Sequence, residues 1–559
     1  MSARGYTMKN SSAHIFITLL AIAALAACGG GGGGGTSSQV LPLRGSQVRP
    51  QTTILSNIVG VGDSLTAGYQ SNGFLGATGA RIYVNHQPIP VFQGQENGWW
   101  ADLYEQASGK PLDAAIDQMY DPSTSPLPLI TKPGLNNQII QNSAEFPIQE
   151  QKSGNVCTDN NGFNEAGYHL KGNSRVRMNP DSTEIRNVGI PGLTLHEANV
   201  LHEPQTDTCK FIPGVPGLLS MVVSDESGTF WPVLGNFTKL GPNLTDVNAA
   251  ASRHPTLATV WLGANDVLKY MGSGGRFVGG DRNAAQAEED LRATISTLEH
   301  AGAHVVVANL PNILEVGYFQ RVTNPKSFKK DCPLTTYAWC LINLGIGATK
   351  QTVTAIANRY HLSTPNGCLP ASETKPCGYL TLQGAIEIIT YNQAYPLTYP
   401  NLDCAVPKPH CKAVPGSGLG NYYITPEFAG KIQALNDAIN QGIDDAATTS
   451  HVPLVDVQAI FHGLASGNPS DPYFKLAASI NPGLCCTLGY LYGILSFDGL
   501  HPSNTGYALI SYEFIDTINK AYQTHIPQID VKAVYRGKRC NNSNYCYPDP
   551  YAPPNDIQY

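Results

Sequence analysis

The chain is 559 residues long, with a formal net charge of −7 and only 14% charged residues, against roughly a quarter in an average soluble domain. That balance offers no general attraction to nucleic acid and sets nucleic-acid binding aside. Gly (56) and Pro (40) are abundant while 42% of residues are hydrophobic, which describes turn-rich loops on a folded core rather than a disordered chain.

The N-terminus carries Arg4 and Lys9, then an apolar run from Ile15 to Ala27, then Cys28. The run is too short to span a membrane and has the layout of a signal peptide. Leu25-Ala26-Ala27-Cys28 resembles a bacterial lipobox, which implies a lipidated Cys28 as the mature N-terminus and attachment to a membrane through the lipid. Gly29 after the cysteine weakly favours the outer membrane. Residues 29–50, opening with the glycine run Gly29 to Gly35, are expected to act as a flexible tether with a reach of about 25 Å.

The run from Ile54 to Val61 reads as a short buried β-strand. It stops at Gly62, and Ser64 follows where a strand-to-helix turn is expected. A serine there stands at the carboxyl end of a sheet, with its N–H near a helix N-terminus that favours an oxyanion. Gly98 to Gly109 reads as an amphipathic helix whose Trp99 and Trp100 belong to the core. The periodicity then breaks over about 110–181. Glu184 to Val188 is a second strand entering the glycine turn at 189–192, and Thr194 to Leu201 is helical.

Thr256 to Leu262 is a third strand, with Asn265 placed after it as Ser64 is placed after the first. A helix is expected over Ala284 to His300, a fourth strand over His304 to Leu310, and a second interruption over about 320–422 that includes a helical stretch at 345–360. Thr425 to Ala447 is a long helix with a Thr-Pro-Glu start. Val452 to Val457 is a fifth strand, and 503–522 a closing helix. Repeated strand, turn and helix imply a parallel α/β sheet. Residues 526–559 are read as a cysteine-containing tail outside the 51–525 domain.

Thirteen cysteines less Cys28 leave twelve, an even number in an exported chain, so a disulfide framework is expected. The near pairs are Cys332/Cys340, Cys368/Cys377, Cys404/Cys411 and Cys540/Cys546, with Cys157/Cys209 wider and Cys485-Cys486 adjacent. No cysteine and histidine spacing resembles a zinc site. His196-Glu197 and His202-Glu203 lack the second histidine of a zinc protease. Neither a metal nor a cofactor is called for, and His196, His202 and His462 are read as surface or packing residues.

Four stretches carry the functional reading: Gly62-Asp63-Ser64-Leu65, Asn187 to Gly192, Gly263-Ala264-Asn265-Asp266, and Asp498-Gly499-Leu500-His501. In this order they resemble the sequence blocks of the GDSL, or SGNH, serine esterases. The resemblance implies Ser64 as nucleophile, His501 as base and Asp498 as its orienting carboxylate. The N–H groups of Ser64 and Gly192 and the side-chain amide of Asn265 would form the oxyanion hole. It also implies a three-layer, flavodoxin-like α/β/α fold, with the two interruptions as insertions.

The residue types suit the chemistry. A serine hydroxyl is too weakly acidic to attack an ester unaided, so an imidazole must take its proton. Asp498 and His501, three apart, can reach one another from a single loop. Gly189 is the competing glycine in its turn and is read as structural. Asp266 is read as a turn or capping residue.

The activity expected is carboxylic-ester hydrolysis through an acyl-serine, on a small-molecule, lipid or glycan ester. Phospholipase and carbohydrate O-deacetylase activities are alternatives within that class. No Gly-x-Ser-x-Gly occurs to suggest an ordinary α/β-hydrolase. From another class, a surface binding or adhesion lipoprotein could use the same scaffold without turnover. The sequence leaves the oligomeric state open.

Overall fold

The computed structural model describes residues 53–70, 93–110, 184–201, 244–277, 279–324, 347–359, 372–381, 423–466, 468–480, 494–496 and 499–535, with short pieces between. Cys28, the glycine run and Asp498 lie outside the described residues, as do ten of the twelve cysteines expected to pair.

Apart from a short antiparallel pair, β2 (Ile82–Val84) and β3 (Gln87–Ile89), the centre is a parallel sheet. Strand β1 (Ile58–Gly62) lies beside β4 (Leu257–Trp261), then β5 (His304–Ala308), then the two-residue β9 (Leu454–Val455). On the other edge of β1, the 184–190 segment joins by a parallel bridge between Gly60 and Asn187. Its hydrogen bonds include Val188 N–H to the Gly60 carbonyl and Ile190 N–H to that of Gly62, each 2.9 Å. Taken by position in the chain, the order is second, first, third, fourth, fifth, the flavodoxin-like arrangement. β1 and β4 are buried at every residue, as strands covered by helices on both faces must be. The first apolar run is not all strand, because Thr53–Leu55 form a 3₁₀ turn before β1 begins.

Among the helices, α1 (Trp99–Ser108) packs with α10 (Asn504–Tyr522), which carries α11 (Val531–Tyr535). Trp99 stacks on Phe514 with ring centres 4.0 Å apart. The Trp100 ring lies so close over Gly60 that a Cβ there would sit 2.4 Å from its Cδ1. Both tryptophans are fully buried, as core residues. A second group comprises α2 (Leu195–Val200), α3 (Asp246–Ala251), α5 (Ala284–His300) and α7 (Pro426–Ser450), packed on one another. After the last strand, β9, come α8 (Val457–Ser466) and α9 (Pro472–Ile480).

Local chemistry sets the helix starts. Thr425 caps α7 by accepting from the Phe428 N–H, with Pro426 in the first turn, and Asn283 caps α5. Ser503 caps α10 by accepting from the Gly506 N–H.

Two features depart from expectation. The second insertion is anchored by a small antiparallel sheet of β6 (Phe319–Val322), β7 (Gly378–Thr381) and β8 (Tyr423–Ile424), with α6 (Lys350–Arg359) inside it. And the core runs past residue 525, for Ile526, Ile529, Val531 and Tyr535 are buried and α11 packs on α10. Of the expected cysteine pairs, Cys368–Cys377 is formed and is the one disulfide among the described residues, which leaves a disulfide-rich insertion unsupported. No helix among the described residues is long and apolar enough to cross a membrane.

α5 and α7 approach through Gly442, where a Cβ would meet the Ala284 carbonyl at 2.4 Å and the Ala287 Cβ at 2.7 Å. Alanine in mid-helix normally gains about 0.5–1 kcal/mol over glycine, but overpacking costs about 1–3 kcal/mol. Gly442→Ala is therefore expected to lower the urea midpoint of unfolding at an unchanged slope. A raised midpoint would show that the two helices do not meet there.

Candidate active site

Three turns at the carboxyl edge of the sheet converge. The first follows β1. Here Ala67 N–H bonds the Asp63 carbonyl at 3.0 Å and Tyr69 N–H that of Ser64 at 2.9 Å, and Gly68 closes the turn at φ +72°. It is a single turn rather than the start of a helix, so a helix dipole contributes less at Ser64 than the sequence suggests. The hydroxyl Oγ of Ser64 lies 3.0 Å from Nε2 of His501, 437 residues along the chain. His501 is buried, and its ring stands edge-on to Tyr69, with centres 5.1 Å apart.

The second turn follows the 184–190 segment and holds Gly192 at φ +88°, a conformation that favours glycine. A Cβ at 192 would meet nothing within 4 Å, whereas one at 189 would lie 2.6 Å from the Ala67 backbone nitrogen. Gly189 is thus the residue of close backbone approach, and Gly192 faces open space. Asn187 fastens the two turns: its Nδ2 donates to the Thr66 carbonyl at 2.7 Å and its Oδ1 accepts from Gly189 N–H at 3.1 Å. Among the described residues the backbone N–H groups of Ser64 and Gly192 have no hydrogen-bond acceptor.

The third turn follows β4. Gly263, at φ +115°, opens α4 (Ala264–Gly272) and puts Asn265 and Asp266 in its first turn. Asn265 Nδ2 donates to Asp63 Oδ2 at 3.0 Å and to the Leu193 carbonyl at 3.1 Å. Hydrogen bonds therefore link all three turns through one amide. In the resting structure both of its hydrogens are engaged.

Asp63, which the sequence offered only as a neighbour of the serine, is almost fully buried. Its Oδ1 accepts from Leu65 N–H at 2.9 Å. Burial pushes its carboxyl up to about 7, against the pull of that N–H, of His501 and of Asn265. Asp266, expected as a turn residue, is a buried clamp: its two oxygens take the N–H groups of Leu195 at 3.0 Å and Asp281 at 2.7 Å, and burial raises it to about 7. Leu195 opens α2, whose Thr194 and Glu197 form a reciprocal capping box. The local signal for Asp63 and Asp266 was a short polar residue beside each site residue; their burial was not visible.

Ser64 and His501 open on a cleft walled by Trp261, Leu268, Ile313, Val316, Phe461 and Leu500, with about 30 Å³ of free space. Asp498, the carboxylate expected beside His501, lies outside the described residues.

Because Asp63 holds its proton more tightly folded than unfolded, its contribution to stability is complete below about pH 4 and is lost as pH rises through about 7. Asp63→Asn should flatten the fall in unfolding free energy over that window, by up to about 1.4 kcal/mol per pH unit. Denaturant unfolding of both proteins at pH 4, 5.5, 7 and 8 tests this, and parallel profiles would refute it.

A family model described as GDSL-like lipase/acylhydrolase matches residues 58–514, from the first residue of β1 into α10. No curated protein and no solved structure matches the chain. The match takes in all three turns and the histidine loop, and on that evidence the chain belongs to the GDSL-like lipase/acylhydrolase family.

Proposed function

We propose that the chain is a carboxylic-ester hydrolase that works through an acyl-serine at Ser64. The observation that carries this is the 3.0 Å contact between Ser64 Oγ and His501 Nε2, made at the sheet edge where two backbone N–H groups lack acceptors. Nε2 accepts the hydroxyl proton as Oγ attacks the ester carbonyl carbon. The oxyanion takes hydrogen bonds from the Ser64 and Gly192 N–H groups. Collapse expels the alcohol, which leaves with the proton from His501, and water repeats the sequence to free the acid. Asp498 is assigned to Nδ1 of His501 on its spacing alone.

Asn265 is the third oxyanion donor in this reading. Its Nδ2 must turn one hydrogen from the Leu193 carbonyl toward the substrate while Asp63 keeps the other. The exchange replaces a neutral acceptor by an anionic one, so the bond strengthens as charge develops. The narrow apolar cleft favours a short acyl group, since a longer one must displace Leu268 and Leu500, both only partly buried. A deacetylase acting on glycans fits that wall as well as a short-chain esterase does. A binding protein on the same scaffold would have no need of the serine–histidine contact, and turnover of p-nitrophenyl acetate separates the two.

The lipobox at Leu25 to Cys28 supports a membrane-tethered location as part of the same proposal, with the enzyme held at an exported face by its glycine run.

An organophosphonate probe should label Ser64 and fail on Ser64→Ala; peptide mapping that finds the adduct on another serine would overturn the assignment. Asn265→Ala should reduce kcat by about 10²–10³ with a small change in KM. Were Asn265 only a tie between turns, the variant would melt earlier yet turn over almost normally in its folded fraction. Kinetics and a melting curve on one sample distinguish these.

A further inference from the structure

We propose that His196, Asp281 and Asp290 form a binding site for one divalent transition cation of the zinc class, which fastens the helix after Gly192 to α5 and the turn before it. The site lies outside the serine–histidine cleft and stands independently of the esterase reading.

Ligand atoms from the three residues lie within 4.8 Å of one another. His196 Nδ1 is 2.9 Å from Asp290 Oδ2. The residues come from separate elements: His196 from α2, Asp290 from the middle of α5, and Asp281 from the turn just before α5. Their sequence spacings carry no motif, which is why the cluster was invisible in the chain and His196 read as a surface residue.

The second observation is Asp281 itself. It is only 4% exposed, and among the described residues its Oδ2 has no hydrogen-bond partner. A buried carboxylate oxygen without a donor is costly. Its neighbours worsen the position, since Asp266 takes the Asp281 N–H on its own carboxylate. A dication placed against Asp281, Asp290 and His196, whose ligand atoms already converge, would give Oδ2 of Asp281 a partner.

The donor set selects the metal class. One imidazole nitrogen and two carboxylate oxygens suit zinc-like ions, whereas calcium takes six to eight oxygens. Bonds of about 2.0–2.2 Å require the three ligand atoms to draw together, which the half-exposed His196 side chain can do by rotation. That same exposure, 46% for His196, gives the ion a way in from solvent. Asn199, on α2, holds the Asp290 carbonyl at 3.1 Å and so fixes the backbone of one ligand.

The consequence is a double tie. Asp266 already joins Leu195 in the first turn of α2 to Asp281. A cation on His196, Asp281 and Asp290 would close a second link between the same segments, and α2 begins three residues after Gly192. Stiffening of the Gly192 turn follows from the ion without its touching substrate.

The test uses the full chain with its disulfides oxidised, stripped by chelator and then titrated with Zn2+, Mn2+ or Ca2+. Calorimetry should count one Zn2+ per chain at this site, and the melting temperature should rise by about 2–3 °C at a hundred-fold excess over Kd. Asp281→Asn keeps the size of the side chain but not its metal affinity, so the metal-free protein should fold and the Zn2+ shift should vanish. His196→Ala should fold normally and bind at least about ten-fold more weakly. No Zn2+ shift in wild type, or equal shifts in wild type and both variants, overturns the site. A response to Ca2+ but not Zn2+ overturns the metal class.

Discussion

The site depends on how closely the second strand segment passes the serine turn. At Gly189 a single added carbon would stand 2.6 Å from the Ala67 nitrogen and 2.9 Å from the Asp63 carbonyl oxygen. Both are backbone atoms of the turn that carries Ser64, so no side-chain rotation relieves the contact. Only at that distance can Ile190 pair with Gly62 and Asn187 reach the Thr66 carbonyl. These bonds bring the chain to Gly192 on the same edge of the sheet as Ser64. A glycine without a catalytic atom therefore determines where two candidate oxyanion donors stand.

Around this contact the protein buries carboxylates that a stability-driven design would avoid. Asp63 and Asp266 both have raised proton affinity because burial outweighs the N–H groups they accept. Each nonetheless ties together segments that follow different strands. Asp63 receives the amide of Asn265, and Asp266 receives the first-turn N–H of α2 and the N–H of Asp281. Such ties hold the turns in fixed register, which the proposed oxyanion site requires, since its donors must be in place before the negative charge forms. In that reading the cost falls on folding and the benefit on the transition state.

Much of this was legible in the chain. The strands at 257–261 and 304–308 fall inside the apolar runs that suggested them, and helices α1, α2, α5, α7 and α10 lie close to the stretches whose periodicity suggested them, because burial leaves a local mark. Ser64, Gly192, Asn265 and His501 stand out through their places after strands or in a short motif. What the sequence did not show involves residues whose partners are remote. The carboxyl partner of Asn265 is Asp63, 202 positions away. The role of Asp266 is set by Leu195 and Asp281, and the antiparallel sheet pairs Phe319 with Thr381. No local period encodes such pairings, nor does composition reveal that the last buried turn ends at Tyr535 instead of stopping at residue 525.

The histidine loop shows how the second insertion bears on the chemistry. His501 sits in a tight return in which Ser496 N–H bonds the His501 carbonyl at 2.8 Å and Ser503 N–H that of Ile494 at 2.8 Å. Gly499 takes φ +70° within it, and its carbonyl accepts from Tyr318 N–H at 2.7 Å. Tyr318 is the residue before β6, the strand from which the insertion departs. A Cβ at 499 would press on the Tyr318 nitrogen at 3.0 Å, so the glycine permits the contact. The loop that presents Nε2 to Ser64 is thus bonded to the first residues of the insertion. One backbone hydrogen bond couples β6 to Gly499, two residues from the histidine. In the proposed reaction that coupling would let the insertion bear on turnover as well as fit, because proton transfer depends steeply on where the imidazole stands.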